Sequence, residues 1–142
     1  MLSESQLLNH IYQTAEMGQD GIRAVLKRTD EPGLVSALHS QMREYRQLQR
    51  SASSLLLARG RVPKGIGAMA KFSSEAMTAM KTLADRSPSN LAQMMIQGSA
   101  MGVSKSLRTI RSCQVTDERV QQLADRLLQT EEANIQEMKR FL

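Results

Sequence analysis

Apolar residues recur along this chain at alternating steps of three and four, the spacing that keeps side chains on one face of an α-helix. Over residues 5–28 the seam is Leu8, Ile11, Ala15, Gly18, Ile22 and Val25. Ser3 and Gln6 just before it fit a capping box, in which each side chain satisfies a backbone N–H that the first turn leaves free. Thr29-Asp30-Glu31-Pro32 predicts a tight turn, with Asp30 as N-cap and Pro32 in the first turn of a second helix. That helix carries Leu34, Leu38, Gln41, Tyr45, Leu48, Ala52 and Leu55 inward as far as Arg59. Gly60 suits the left-handed stop. So short a turn makes the first two helices antiparallel neighbours.

A Gly/Pro-rich link, Val62–Gly67, leads to a shorter third helix expected at Ala68–Asp85, with one stripe of Met69, Phe72, Ala76, Ala79, Met80 and Leu83. Ser87 as N-cap and Pro88 at the first helical position then restart the chain. The stretch that follows, Leu91–Cys113, has two apolar faces. Leu91, Met94, Met95, Gly98, Met101 and Gly102 share one side; Ala92, Ile96, Ala100, Val103, Leu107 and Ile110 share the other. A helix apolar on nearly all sides is expected at the centre of a packed structure. Polar residues interrupt it too often for a span of ~20 apolar residues across a bilayer. Gly98-x-x-x-Gly102 invites close approach of a neighbouring backbone. A last helix, capped by Thr116, carries Val120, Leu123, Leu127, Glu131, Asn134, Met138 and Phe141 inward. Glu131 and Asn134 therefore fall inside an apolar arc, where burial without a cation would raise the carboxyl's pKa.

Two hairpins of similar length with a shorter crossover helix between them make an all-α, ferritin-like four-helix bundle, one domain over residues 1–142. The second apolar face of Leu91–Cys113 would then cover the crossover or a second subunit, so a homo-oligomer, most simply a dimer, is expected. Four stretches carry a resemblance at this point: Ile11–Gly18, Pro63-Lys64-Gly65, Met95–Ser99 and Thr130–Ile135. With them the chain resembles an uncharacterised branch of bacterial ferritin-like helical bundles, with spore-coat-type proteins as more distant relatives.

In di-iron members of that superfamily two helices each give a Glu and two others each give Glu-x-x-His. The matching levels here hold Glu16, Glu44-x-x-Gln47, Gln97 and Glu131-x-x-Asn134. Amides stand where imidazoles would, and amides are poor ligands for iron or zinc. The resemblance therefore implies a degenerate site, a polar core layer of Gln41, Glu44, Gln97, Glu131 and Asn134 that fixes helix register. The rival reading keeps iron or another divalent metal on Glu16, Glu44 and Glu131, as an oxidase or a metal store. The two histidines, His10 and His39, are expected on outer faces.

Composition adds a few limits. In 142 residues there are no Trp, 3% aromatics and 10 Met, so Met must supply core volume. Met77, Met80, Met94, Met95 and Met101 are accordingly read as filler before they are read as soft copper ligands. The single Cys113 excludes an internal disulfide and has no His nearby in sequence to make it a nucleophile. No basic, apolar leader opens the sequence, so a cytoplasmic protein is expected, with spore association implied only by the resemblance. The net charge of +5 is uneven. Arg43, Arg46, Arg50, Arg59, Arg61 and Lys64 cluster around the second helix and the link after it, a face suited to anions. With no recognition-helix motif and no aromatic platform, a solvated face, or one facing an acidic partner such as the last helix of another subunit, is preferred to nucleic-acid binding. The resulting expectation is a non-catalytic bundle without a cofactor. It would act through self-association or a protein partner, with no membrane segment.

Overall fold

A computed structural model gives the architecture, described here for residues 1–66 and 78–142. Four long helices dominate them: α1 (Glu4–Leu26), α2 (Pro32–Ala58), α3 (Pro88–Arg111) and α4 (Glu118–Lys139). They stand at the corners of a square. α1 packs on α2 and α3 on α4 along their lengths, α1 also meets α3 and α2 meets α4, and the diagonals hardly touch. Leu7, Leu8, Ile11, Ile22, Leu34, Leu38, Leu48, Leu56, Leu91 and Leu127 fill the centre and are fully buried. Each such side chain stabilises the fold by ~1.5–3 kcal/mol through the water it sheds.

Hydrogen bonds between segments give the directions. The Leu2 N–H donates to the Ser112 carbonyl at 2.8 Å, so the start of α1 lies beside the end of α3 and these two helices are antiparallel. α2 and α3 therefore run the same way, and the link between them must climb the whole bundle. Its rungs are on α1. Asn9 accepts from the Lys64 N–H at 2.8 Å, Gln13 donates to the Gly65 carbonyl at 2.8 Å, and Arg28 donates to the Met80 carbonyl at 3.0 Å. At ~1.5 Å per residue, these partners, from Asn9 to Arg28 just past the end of α1, rise ~28 Å. Two antiparallel hairpins joined by one full-length crossover is the connectivity of ferritin-like bundles. Residues 78–81 of that crossover are helical. Most of the expected third helix, with Met69, Phe72, Ala76 and Met77, lies outside the described residues.

The helix ends follow local chemistry. Ser3 and Gln6 form the capping box, with bonds of 3.1 and 2.8 Å. Ser87 caps α3 ahead of Pro88, and Gly60 has a φ of +71° just past α2. Two caps differ from expectation. Glu31, not Asp30, caps α2, because its carboxylate reaches the Leu34 N–H at 2.7 Å. Asp117, not Thr116, caps α4. Thr116 is engaged elsewhere, donating its N–H and hydroxyl to Glu4 Oε1 at 3.1 and 2.8 Å.

The larger correction concerns α3. It is a corner helix like the others and not a central one. Its fully buried residues are Leu91, Ala92, Ser99 and Ser106, while Met101 is 41% exposed. The inward stripe is built from small residues, and the two apolar faces flank it. The one with Met94, Met95 and Met101 lines an opening beside α1.

Candidate functional site

α2 and α4 bring Tyr45 and Glu131 together in the core. Both are buried, at 3% and 2% exposure, and the Tyr45 hydroxyl donates a short hydrogen bond to Glu131 Oε1. Neither side chain would fit without glycine on the neighbouring helices. A Cβ placed on Gly18 of α1 would meet the Tyr45 ring at 2.6–2.8 Å, and one on Gly102 of α3 would collide with Glu131 Oε2. Gly102 therefore answers to a carboxyl from α4, while Gly98, its partner in the GxxxG spacing, faces no atom within 4 Å. Among the described residues the close backbone approach expected from that spacing is absent.

Burial dominates the electrostatics of the pair. It pushes the Glu131 carboxyl up to about 7, against the opposing pull of the Tyr45 hydrogen bond. Tyr45 is raised well above the usual phenol range, first by burial and then by the Glu131 charge and hydrogen bond; Asn134 and Ser99 beside it act the other way. Asn134 Nδ2 and Gln41 Oε1 are buried without a hydrogen-bond partner among the described residues. Gln41 does donate through Nε2 to Glu137 at 3.0 Å.

The expected polar layer is thus only partly assembled. Gln41, Glu131 and Asn134 are inside. Glu44 is not: it turns toward Arg126 at 3.3 Å and is 47% exposed. Gln97 is exposed and lines the α1–α3 opening, because the small inward stripe of α3 turns it outward. Tyr45, Thr14, Gln19, Ser99, Ser106 and Thr130 are the other buried polar side chains among the described residues. Tyr45 fell in the inward stripe of α2, but nothing in that spacing paired its hydroxyl with Glu131. His10 departs from its expected outer face. It sits at the α1–α3 contact, 3.0 Å from Ser106 Oγ and 3.3 Å from Thr14 Oγ1, and burial lowers its pKa. The clue was Ser99 and Ser106, seven residues apart, which put hydroxyls on the face α3 turns inward. His39 is exposed on α2.

The carboxylates nominated for metal do not converge. Glu16 lies against Gly65, 3.6 Å from the site of a Cβ there, and its pKa is raised by burial and by Asp20. Glu44 is held by Arg126 and Glu131 by Tyr45. Among the described residues no three His, Cys, Asp or Glu side chains gather as a metal would require.

A cavity of about 330 Å³ opens between α1 and α3, with Tyr45 and Glu131 among its lining. Met17, Met80, Met94, Met95 and Met101 give it an apolar wall, and Gly21 and Gly98, with no described atom within 4 Å of a Cβ there, give it room. Asp20 and Lys105 also line it. On the other side of the bundle a shallow hollow between α2 and α4 is lined by Arg50, Arg119 and Arg126. Of the basic set, Arg43, Arg46, Arg50, Arg61 and Lys64 are exposed, and none is in an ion pair among the described residues. Arg59 bridges Glu4 and Asp117 at 3.0 and 2.9 Å.

Fold and site together define an all-α four-helix bundle with a buried tyrosine–carboxyl pair in its core. No family model matches the chain. No curated protein matches it either. Among solved structures it is similar to the crystal structure of a DUF305 fragment from Deinococcus radiodurans. The TM-score is 0.76 at 17% identity, over 96% of this chain and 93% of that one. At that identity the likeness concerns the fold alone. No helix among the described residues is long and apolar enough to cross a membrane.

Proposed function

We propose that this chain is a non-catalytic, ferritin-like bundle that acts through self-association or a protein partner, with a polar pair where an oxidase would hold metal. One observation carries the reading: Glu16, Glu44 and Glu131 are engaged at three separate places, by the link, by Arg126 and by Tyr45. A di-metal centre needs carboxylates that share ions, and divalent metals of this class favour imidazole and carboxylate over the amides of Gln41, Gln97 and Asn134. A proton on Glu131 would compete with a cation for the same oxygen. The interacting surface is assigned to the side of α3 on which Met101 is exposed and Met94 and Met95 are half-buried.

Two measurements test this. Protein purified without chelator is titrated anaerobically with Fe(II), Mn(II) and Zn(II) by calorimetry; no stoichiometric binding is expected. Binding of one or two equivalents that Glu131→Ala abolishes would replace the reading with a metalloprotein. Light scattering on eluted fractions is expected to give a dimer that Met101→Lys dissociates. A monomer at all concentrations would remove the self-association arm.

A further inference from the structure

We infer that the cavity between α1 and α3 is a binding site for a small amphipathic amine, its apolar body among the methionines and its ammonium against Glu131. The volume of about 330 Å³ suits a small ligand, and gaps between bundle helices are a common place for such sites. The wall supplies the first argument. Met17, Met94, Met95 and Met101 offer flexible thioether chains that repack around varied apolar shapes. Gly21 and Gly98 face nothing within 4 Å, so they leave space where other residues would fill it.

The floor supplies the second. Only one Glu131 oxygen is spoken for: Oε1 accepts from Tyr45, while Oε2 lies over Gly102 with no donor among the described residues. A buried carboxyl with an unused oxygen favours a ligand that donates. Charge supplies the third. On a protein of net charge +5, the ionisable lining among the described residues is Asp20, Glu131, Tyr45 and Lys105. Acids outnumber bases there, against the trend of the whole molecule. An ammonium both donates and neutralises, and such charge-assisted bonds are roughly twice as strong as neutral ones. A carboxylate ligand would add a third negative charge to Glu131 and Asp20, and Lys105 is the one cation of the described lining to set against them.

The test compares one apolar chain carrying three heads. n-Octylamine, n-octanol and n-octanoate are titrated calorimetrically into the full chain at pH 8, well below micellar concentrations. The amine is expected to bind one equivalent about tenfold tighter than the alcohol, and octanoate not to bind. Glu131→Gln should bring the amine down to the affinity of the alcohol, while Asp20→Asn, at the rim, should leave the preference intact. Gly98→Leu, on an exposed position, should fill the space and abolish binding of both with the far-UV spectrum unchanged. Equal binding of amine and alcohol, a preference that survives Glu131→Gln or vanishes in Asp20→Asn, or no binding by the folded wild type would each overturn the assignment.

Discussion

Replacing Glu131 by Gln should remove a pH dependence that the buried carboxyl imposes on stability. Burial holds this group at about 7 in the folded chain, against an ordinary 4.5 when unfolded. A carboxyl raised in this way keeps its proton more tightly in the folded state. Its contribution is therefore fully favourable below 4.5 and is lost as pH rises through about 7. At ~1.4 kcal/mol per pH unit, the gap amounts to about 3 kcal/mol by pH 8. Typical domains are stable by only ~5–15 kcal/mol, so a loss of this size is easily measured. His10 acts in the opposite sense. Burial and then Lys105 lower its pKa below 6.5, so its contribution improves as pH rises toward that value. Subtracting the variant from the wild type cancels His10 and every other group the substitution leaves alone. Gln also keeps an oxygen to accept from Tyr45. Urea unfolding followed by far-UV circular dichroism at pH 5 and pH 8.5 should show the wild type losing about 3 kcal/mol relative to Glu131→Gln. Parallel stabilities at the two pH values would refute the claim that this carboxyl is desolvated.

The glycines should separate by what lies above them. Gly18→Ala and Gly102→Ala each drive a methyl into Tyr45 or Glu131 and should destabilise by ~1–3 kcal/mol in thermal melts; Gly98→Ala, facing open space, should gain ~0.5–1 kcal/mol from helix propensity. Glu4 should govern the acid side. Hydrogen bonds, first from the Thr116 hydroxyl and then from its N–H, hold its pKa below the ordinary 4.5, so it stabilises above that value and the benefit fades as pH falls through the folded one. Glu4→Gln should therefore lower the melting temperature at pH 7, and the difference from the wild type should shrink as pH falls below 4.5. For the basic face, filter binding of duplex DNA and of single-stranded RNA at low salt should be unmeasurable; tight binding that weakens steeply with salt and with Arg43→Ala/Arg46→Ala would reverse that expectation.

The heptad-like seams of α1, α2 and α4 were legible because each helix has one apolar face, and a single face has one way to point. The crossover was legible from lengths alone, since helices that share a direction need a link as long as themselves. α3 misled for a physical reason. Counting apolar residues ranks Met94, Met101 and Ile110 as inward, yet Ser99 and Ser106, which hydrophobicity scores as neutral, are the ones buried at mid-helix. Ser99 and Ser106 hold the inward face there, and the larger side chains are displaced to either flank. The same effect hid His10, whose partner is a serine ninety-six residues away. Glu131 and Asn134 announced themselves as polar residues within an apolar arc. Tyr45 did not, because a phenol in a core stripe is ambiguous until the residue facing it is known. Nothing local could forecast that Glu44 prefers Arg126, since that pairing depends on the stagger between two helices.

One carboxylate at the base of the bundle acts as a rivet through three sheets of the same construction. Glu4 belongs to α1, yet it accepts from Thr116 and Asp117 in the turn between α3 and α4 and from Arg59 at the end of α2. With the feet of the helices pinned there, and Leu2 fastened to Ser112 beside them, any parting of α1 from α3 has its fulcrum at that end. Helices parting about that end would behave like the arms of a pair of tweezers, the displacement growing with height toward Gly18, Met94 and the mouth between them.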